Sequence, residues 1–341
     1  MVNRIAIDAM GGDFGASEIV PAAAFVLARH ENLQMILVGQ QDRLREELKK
    51  LNLTDSDRLQ IRHAPEVVAM DELPSLAMRN KKQSSMRIAI DMVKDEEADA
   101  CVSAGNTGAL MAISRYVLKM LPGIDRPAIC AIMPGAEGHT HVLDLGANIN
   151  TTSEQLLQFA VMGSELTSAV ENIENPTIGL LNVGSEDIKG DDRIKQAALL
   201  LSKSHLNYIG FVEGTDIFTG KVNVIVTDGF TGNVALKASE GVAKMVAHHV
   251  KKEFTGSLYG KIAAMITKPI LKKVWNQIDP RRHNGASLLG LRGIVVKSHG
   301  GADRVSFASA LEEAIKEVDM NLPERIAQRL ERLTLNGNGL S

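Results

Sequence analysis

The sequence predicts an α/β fold on a mostly parallel, twisted sheet, and three observations lead there. Short runs rich in Ile, Val and Leu alternate with segments of helical period, the rhythm of βαβ units. Most of those runs end in glycine or asparagine. Twice an apolar run passes directly into Gly-X-Thr-Gly: Ala100–Ala104 into Gly105-Asn106-Thr107-Gly108, and Val224–Asp228 into Gly229-Phe230-Thr231-Gly232.

The expected strands follow in order. Arg4–Asp8 leads into Asp8-Ala9-Met10-Gly11-Gly12-Asp13, and Met35–Val38 and Leu59–His63 come next. Ala100–Ser103 feeds the first Gly-X-Thr-Gly, and Ala128–Met133 precedes His141–Leu145 with its turn Asp144-Leu145-Gly146-Ala147-Asn148. Thr177–Leu181 runs into Asn182-Val183-Gly184-Ser185 and is followed by Ile209–Val212 and Val222–Thr227. Ile294–Lys297 ends at His299-Gly300-Gly301-Ala302-Asp303, which completes the pocket or is merely a tight turn. In open α/β sheets ligands bind beyond the carboxyl ends of the strands, so these turns are expected to converge on one site.

With 341 residues, 45% hydrophobic and 23% charged, the chain suffices for one large α/β unit or two subdomains. A net charge of -3, with Lys and Arg spread widely, gives no reason to expect nucleic acid. Cys101 and Cys130 lie inside apolar runs and form neither a disulfide framework nor a zinc pattern, which fits a reducing cytoplasm. The N-terminus enters a strand without a signal-like apolar stretch, and no run reaches transmembrane length. Any membrane contact is therefore expected to be peripheral.

Glycine lets the backbone approach a ligand, and a following helix offers unpaired N–H groups and a positive dipole end. Phosphate is the expected guest. Lys189, in the loop before the helix near Asp192, is either a charge clamp for it or a solvated loop lysine. Asn233, directly after the second Gly-X-Thr-Gly, either polarises a carbonyl or bonds its own backbone at a helix start. Ser84 or Ser85 caps the helix marked by Met86, Ile90 and Val93, or shares a phosphate with the basic Arg79–Lys82 run. A P-loop is absent. Gly11-Gly12-Asp13-Phe14-Gly15 resembles a dinucleotide fingerprint only loosely, and Val38-Gly39-Gln40 lacks the ribose-binding acid, so no cofactor is expected. His248 and His249 face different directions on a helix and no His-Glu-x-x-His or Cys-x-x-Cys occurs, so no metal is expected either.

The segment from Phe254 to Ile278 breaks the rhythm. It has four lysines (Lys261, Lys268, Lys272, Lys273), no acid and the single tryptophan, Trp275. Apolar positions including Leu258, Ile262, Ile266 and Trp275 fall near helical spacing, and Pro269 reads as a break between two short amphipathic helices. Such a pair suits either an anionic bilayer surface or a packed core or dimer interface.

Together these motifs resemble the PlsX family of phosphate acyltransferases. The resemblance rests on Ile5–Asp13, Ser84-Ser85-Met86, Ser103–Ala109, Asp144–Asn148, Asn182-Val183-Gly184 and Thr227–Asn233, taken in this order, and runs from about Arg4 to about Leu311. It implies a fold like that of phosphotransacetylases and isopropylmalate dehydrogenases. It also implies transfer of a fatty acyl group from acyl-[acyl-carrier-protein] to inorganic phosphate, giving acyl phosphate for phospholipid synthesis. A homodimer on the cytoplasmic membrane face is implied, as is delivery of the product to a membrane glycerol-3-phosphate acyltransferase of PlsY type. By the same resemblance Lys189 and Asn233 are implicated in activity.

The expected substrate-binding set is Asp8, Gly11, Gly12, Ser84, Ser85, Gly105, Asn106, Thr107, Gly108, Asn148, Gly229, Thr231 and Gly232. The expected membrane set is Leu258, Ile262, Ile266, Lys268, Lys272 and Trp275. One catalytic domain is expected over 1–330, with a helical protrusion near 238–285 and a flexible tail from 331. Rival readings are a phosphotransacetylase using acyl-CoA, an NAD-dependent dehydrogenase of isopropylmalate type, and a non-catalytic adaptor on a lipid surface.

Overall fold

Strand direction reverses half-way across one continuous sheet, and this reversal fixes where the turns lie. The computed structural model describes residues 2–335, excepting the side chains at 275–278, 280 and 333–335. In chain order its elements are β1 (Asn3–Asp8), α1 (Ala16–Leu27), β2 (Leu33–Gly39), α2 (Gln41–Lys50), β3 (Leu59–His63), α3 (Pro74–Asn80), α4 (Ser85–Lys94) and β4 (Ala100–Ser103). Next come α5 (Thr107–Leu118), β5 (Ala128–Gly135), β6 (Gly138–Leu143), α6 (Ser153–Glu171), β7 (Thr177–Leu181), α7 (Asp192–Lys203), β8 (Asn207–Val212) and β9 (Val224–Val226). The chain continues through α8 (Gly229–Thr255), α9 (Leu258–Ile278), β10 (Ala286–Leu289), β11 (Ile294–Lys297), α10 (Arg304–Asp319) and α11 (Leu322–Leu335).

The strands form one 11-stranded sheet in the order β3-β2-β1-β4-β11-β10-β5-β6-β9-β7-β8. Seven of its ten pairings are parallel, as expected, and three are not: β11 with β10, β10 with β5, and β5 with β6. Three successive reversals leave β6, β9, β7 and β8 running opposite to β1 to β4. The expected convergence of all turns on one sheet edge is therefore corrected. The carboxyl ends of β1, β4 and β11 form one group, and those of β6, β7 and β9 another.

Alternation along each strand sorts side chains between the two faces. Ile5 and Ile7 enter a core with residues of α1 and α10, whereas Ala6 faces a core with α4 and α5. Full burial of a side chain like Ile5 stabilises by about 1.5–3 kcal/mol. In the reversed half, Leu143, Val224 and Val226 pack with α6, α7 and α11, while Val142 and Ile225 lie in the core that α8 joins through Ala235 and Leu236. Helix starts are specified locally. Thr152 and Gln155 form a reciprocal capping box on α6, and Asp191, Asp228 and Asp303 cap α7, α8 and α10.

Beyond its first turns α8 leaves the body with α9 as a helical pair in which Val242, Met245 and Val246 are exposed. Here two expectations need correction. α9 runs unbroken from Leu258 to Ile278, with Pro269 inside it removing one backbone donor without ending the helix. At the other end α11 continues to Leu335, so the tail expected from 331 is helical over its first residues, while 336–341 lie outside the described residues.

Candidate active site

The first group of turns is organised by Asp8, which is buried at the end of β1. Its carboxylate accepts hydrogen bonds from Ser85 Oγ (2.6 Å) and Ser103 Oγ (2.7 Å), and a longer one from Met10 N (3.4 Å). Burial nevertheless pushes its pKa above the ordinary carboxylate value. Ser103 Oγ also accepts from Gly105 N at 3.0 Å, which fastens the first Gly-X-Thr-Gly to the β1 turn. The approach is so close that a Cβ on Gly11 would lie 2.7 Å from both Asp8 Oδ2 and Gly105 N. Gly12, at φ +83°, abuts Gly300 O, so the β1, β4 and β11 turns meet as one surface.

Several expected ligands here are committed to structure. Ser84 caps α4, accepting from Arg87 N and donating to Lys81 O, and only Ser85 reaches Asp8. Asn106 caps α5 through Oδ1 to Ala109 N and spends its amide on Ala69 O, Met70 O and Glu72 O. Thr107 and Gly108 stay exposed at the helix start.

Lys297 is a residue that sequence reasoning passed over. It ends β11 with only 7% of its surface exposed, and its ammonium donates to Ala104 O (3.3 Å) and Ser298 O. Burial lowers its pKa to about 8, against the partly restoring charge of Asp8. A lysine closing the apolar run Ile294-Val295-Val296 was the available signal. His299, two residues on, accepts from Gly301 N at Nδ1 and is held below the usual imidazole range chiefly by burial.

The second group is built on Asp144. Its oxygens accept from Ile129 N (3.0 Å), Ala147 N (3.0 Å), Asn148 N (2.7 Å) and Asn148 Nδ2 (2.9 Å). Asn148 also donates to Pro127 O at 2.8 Å and accepts from Gly229 N at 2.8 Å, so its role is to hold the turn. Both helices that follow Gly-X-Thr-Gly motifs were expected to begin just after the turn. They begin within it, at Thr107 and at Gly229. At α8 the cap is Asp228, which accepts from Thr231 N and pairs with Arg193 at 3.1 Å. An internal carboxylate thus already occupies part of that positive helix end, and Thr231 Oγ1 donates to Asp228 as well. Gly232 packs tightly against Asp144 O, where a Cβ would not fit.

The two residues expected to carry chemistry both belong to this second group. Asn233 stands in the first turns of α8 with its side chain about one contact distance from Gly146, 3.5 Å from the Cβ position there. Among the described residues its amide makes no hydrogen bond, which removes the reading of Asn233 as a self-bonding helix start. Lys189 is exposed and ion-paired with Glu186 at 2.7 Å, and its carbonyl accepts from Asn182 Nδ2. That pairing raises the lysine pKa and lowers that of Glu186.

α8 joins the two groups. It starts at Asp228, and by Lys237, Glu240 and Lys244 its charges act on His299 in the first group. From Gly229 to Glu240 the rise is about 16 Å. Although the turns share no sheet edge, both border the first three turns of one helix.

A family model described as "Fatty acid synthesis protein" matches residues 3–325. The chain belongs to this family. Relatives named phosphate acyltransferase include one from Methylococcus capsulatus, 60% identical over 329 residues that cover 96% of this chain and 97% of the relative. Another, from Alkalilimnicola ehrlichii, is 55% identical over 96% of both chains. The fatty acid synthesis family member described here is accordingly an enzyme. Its fold is similar to that of a phosphotransacetylase from Streptococcus pyogenes, with TM-score 0.63, 18% identity and coverage of 93% and 94%. It is also similar to a branched-chain phosphotransacylase from Enterococcus faecalis, with TM-score 0.55, 13% identity and coverage of 93% and 99%.

Proposed function

We propose that the chain transfers a fatty acyl group from acyl-[acyl-carrier-protein] to inorganic phosphate, yielding an acyl phosphate for phospholipid synthesis. The observation that carries this reading is the 60% identity, along nearly the whole chain, to a protein named phosphate acyltransferase. The available side chains agree with it. Cys101 and Cys130 are buried, and burial pushes both thiols well up. Ser85 and Ser103 are fully buried against Asp8, out of reach of an acyl donor. Phosphate supplies its own nucleophilic oxygen, and the thiolate of the donor, with a pKa of about 8.5, leaves without strong acid help.

The reaction then needs position and electrostatics. Phosphate displaces Glu186 from Lys189, attacks the thioester carbonyl, and the free amide of Asn233 donates to the carbonyl oxygen as it gains charge. Collapse of the tetrahedral intermediate breaks the C–S bond and releases the carrier thiolate, which takes a proton from water. The acidic carrier is steered by exposed Arg282 and Lys82, because Arg281 is held by Asp279 at 2.7 Å and Asp303 at 3.0 Å.

The protruding helical pair serves a second copy of the chain or an anionic membrane surface. There the product passes to a glycerol-3-phosphate acyltransferase of PlsY type. No helix among the described residues is long and apolar enough to cross a membrane. In the deciding experiment the enzyme is incubated with labelled phosphate and either palmitoyl carrier protein or palmitoyl-CoA. A hydroxylamine-sensitive acyl phosphate formed preferentially from the carrier protein supports the proposal. Preference for CoA transfers the assignment to a phosphotransacetylase, and no product from either donor ends it.

A further inference from the structure

Outside both groups of turns, β6 places two imidazoles two residues apart and therefore on one face of the sheet. That face is the one covered by α6 and α10, opposite the face on which α8 packs. His139 Nε2 lies 3.1 Å and His141 Nε2 3.7 Å from Glu171 Oε1, at the last residue of α6. All three potential ligand atoms fall within 4.8 Å of one another. Metal–ligand bonds of about 2.0–2.1 Å in a tetrahedron put neighbouring ligands roughly 3.3 Å apart. The two separations to Glu171 bracket that edge.

A second observation is independent of this spacing. The His141 side chain is only 2% exposed, and neither ring nitrogen has a hydrogen-bond partner among the described residues. A buried polar group without a partner is unfavourable, so the ring calls for a ligand. Positive charge there is favoured by the carboxyl end of the α6 dipole at Glu171 and by buried Glu313 on α10, and opposed by Lys316 on the same helix and by His283, 6.2 Å from His139 between ring centroids.

We infer that His139, His141 and Glu171 bind one divalent transition-metal cation of the zinc class, with a fourth position left to water. The sequence carries no His-Glu-x-x-His or Cys-x-x-Cys signature that would announce this site. A His-x-His pair on a strand becomes a ligand set only when a distant helix end supplies the carboxylate. The site's place on the sheet, away from the turns, makes it a tie between β6 and α6.

The experiment uses untagged enzyme stripped with a chelator. Zn²⁺ titrated calorimetrically should bind at one equivalent, and Co²⁺ should give the intense visible bands of four-coordinate geometry. His139→Gln and Glu171→Gln, both at partly exposed positions, should each weaken binding by more than about 100-fold at unchanged circular dichroism. His248→Ala/His249→Ala, on exposed α8, should leave binding as it was. In that double variant, Cu²⁺ should show electron-spin coupling to two imidazole nitrogens, a readout that needs no change at the site itself. Absence of saturable binding, survival of full affinity in both ligand variants, loss of binding in the double variant, or coupling to fewer than two nitrogens would each overturn the inference.

Discussion

Asp8 and Lys297 stand in one register row, separated by Ser103 of the intervening strand: Asp8 pairs with Ser103, and Ser103 with Lys297. Burial opposes both charges, raising the carboxyl pKa and lowering that of the ammonium to about 8. Between pH 8 and the unfolded lysine value of 10.5, the unfolded chain keeps a proton that the folded chain releases, so this residue makes stability rise with pH there. Below pH 8 both states hold the proton and the slope vanishes. Urea unfolding of the native enzyme and of Lys297→Met at pH 8 and pH 10 should show the stability difference, native minus variant, growing by about 2 kcal/mol. A difference that is flat or shrinks with pH would show that Lys297 is not held as described.

Among the described residues Asn233 differs from the other asparagines of the turns, Asn106, Asn148 and Asn182, whose amides are spent on backbone carbonyls. Its replacement should therefore affect the reaction and spare the fold. Asn233→Ala is expected to lower kcat by about 10²–10³-fold, the usual loss of one oxyanion donor, with Tm unchanged. Steady-state kinetics beside a thermal melt checks this, and a variant with native kcat would remove Asn233 from the mechanism.

Most of the strands and the cap of α4 were legible because they are written locally. Ile5-Ala6-Ile7 alternates, and Ser84 precedes a periodic apolar run. β10 was missed since Ala286-Ser287-Leu288-Leu289 is short and lies between Gly285 and Gly290, where it reads as a turn. The reversal through β5, β6 and β10 was illegible for a deeper reason. Apolar period reports which face is buried and carries no record of strand direction. Hence the turns were recognised and their meeting place was not. Lys297 was lost similarly, because one lysine at a strand end means solvent or burial depending on what the neighbouring strands bring beside it.

Lys189 and Glu186 form an exposed pair at 2.7 Å, and on the proposed mechanism phosphate competes with that carboxylate. Two opposite results follow. Lys189→Ala should reduce turnover and raise KM for phosphate, whereas Glu186→Gln should lower KM for phosphate several-fold by removing the competitor. Kinetics at varied phosphate and fixed acyl donor distinguish them. Parallel effects in the two variants, or none, would leave the lysine as part of a solvated loop.

Asp228 holds the start of α8 and accepts from both Thr231 and Arg193, with its side chain only 10% exposed. Asp228→Ala removes a helix cap and leaves Arg193 without this partner, so a stability loss of about 1–2 kcal/mol is expected. Asn233 sits on the same first turns, and kcat should fall as well. Denaturant melts with parallel kinetics give both numbers, and unchanged stability would mean that α8 begins without help from this carboxylate.

The helical pair exposes Leu258 (78%), Met265 (72%), Ile266 (73%) and Ile270 (66%) beside Lys261, Lys268, Lys272 and Lys273, whereas the side chain of Trp275 lies outside the described residues. Apolar and cationic groups on one protruding helix match the boundary between acyl chains and anionic headgroups. Ile266→Glu with Ile270→Glu should therefore abolish co-sedimentation with vesicles rich in anionic lipid and leave activity on soluble substrates near native. Raising salt should weaken the native enzyme's binding as well, because part of the attraction is electrostatic. If the double variant instead loses native mass in solution while still sedimenting with vesicles, this face joins two copies of the chain and the membrane assignment fails.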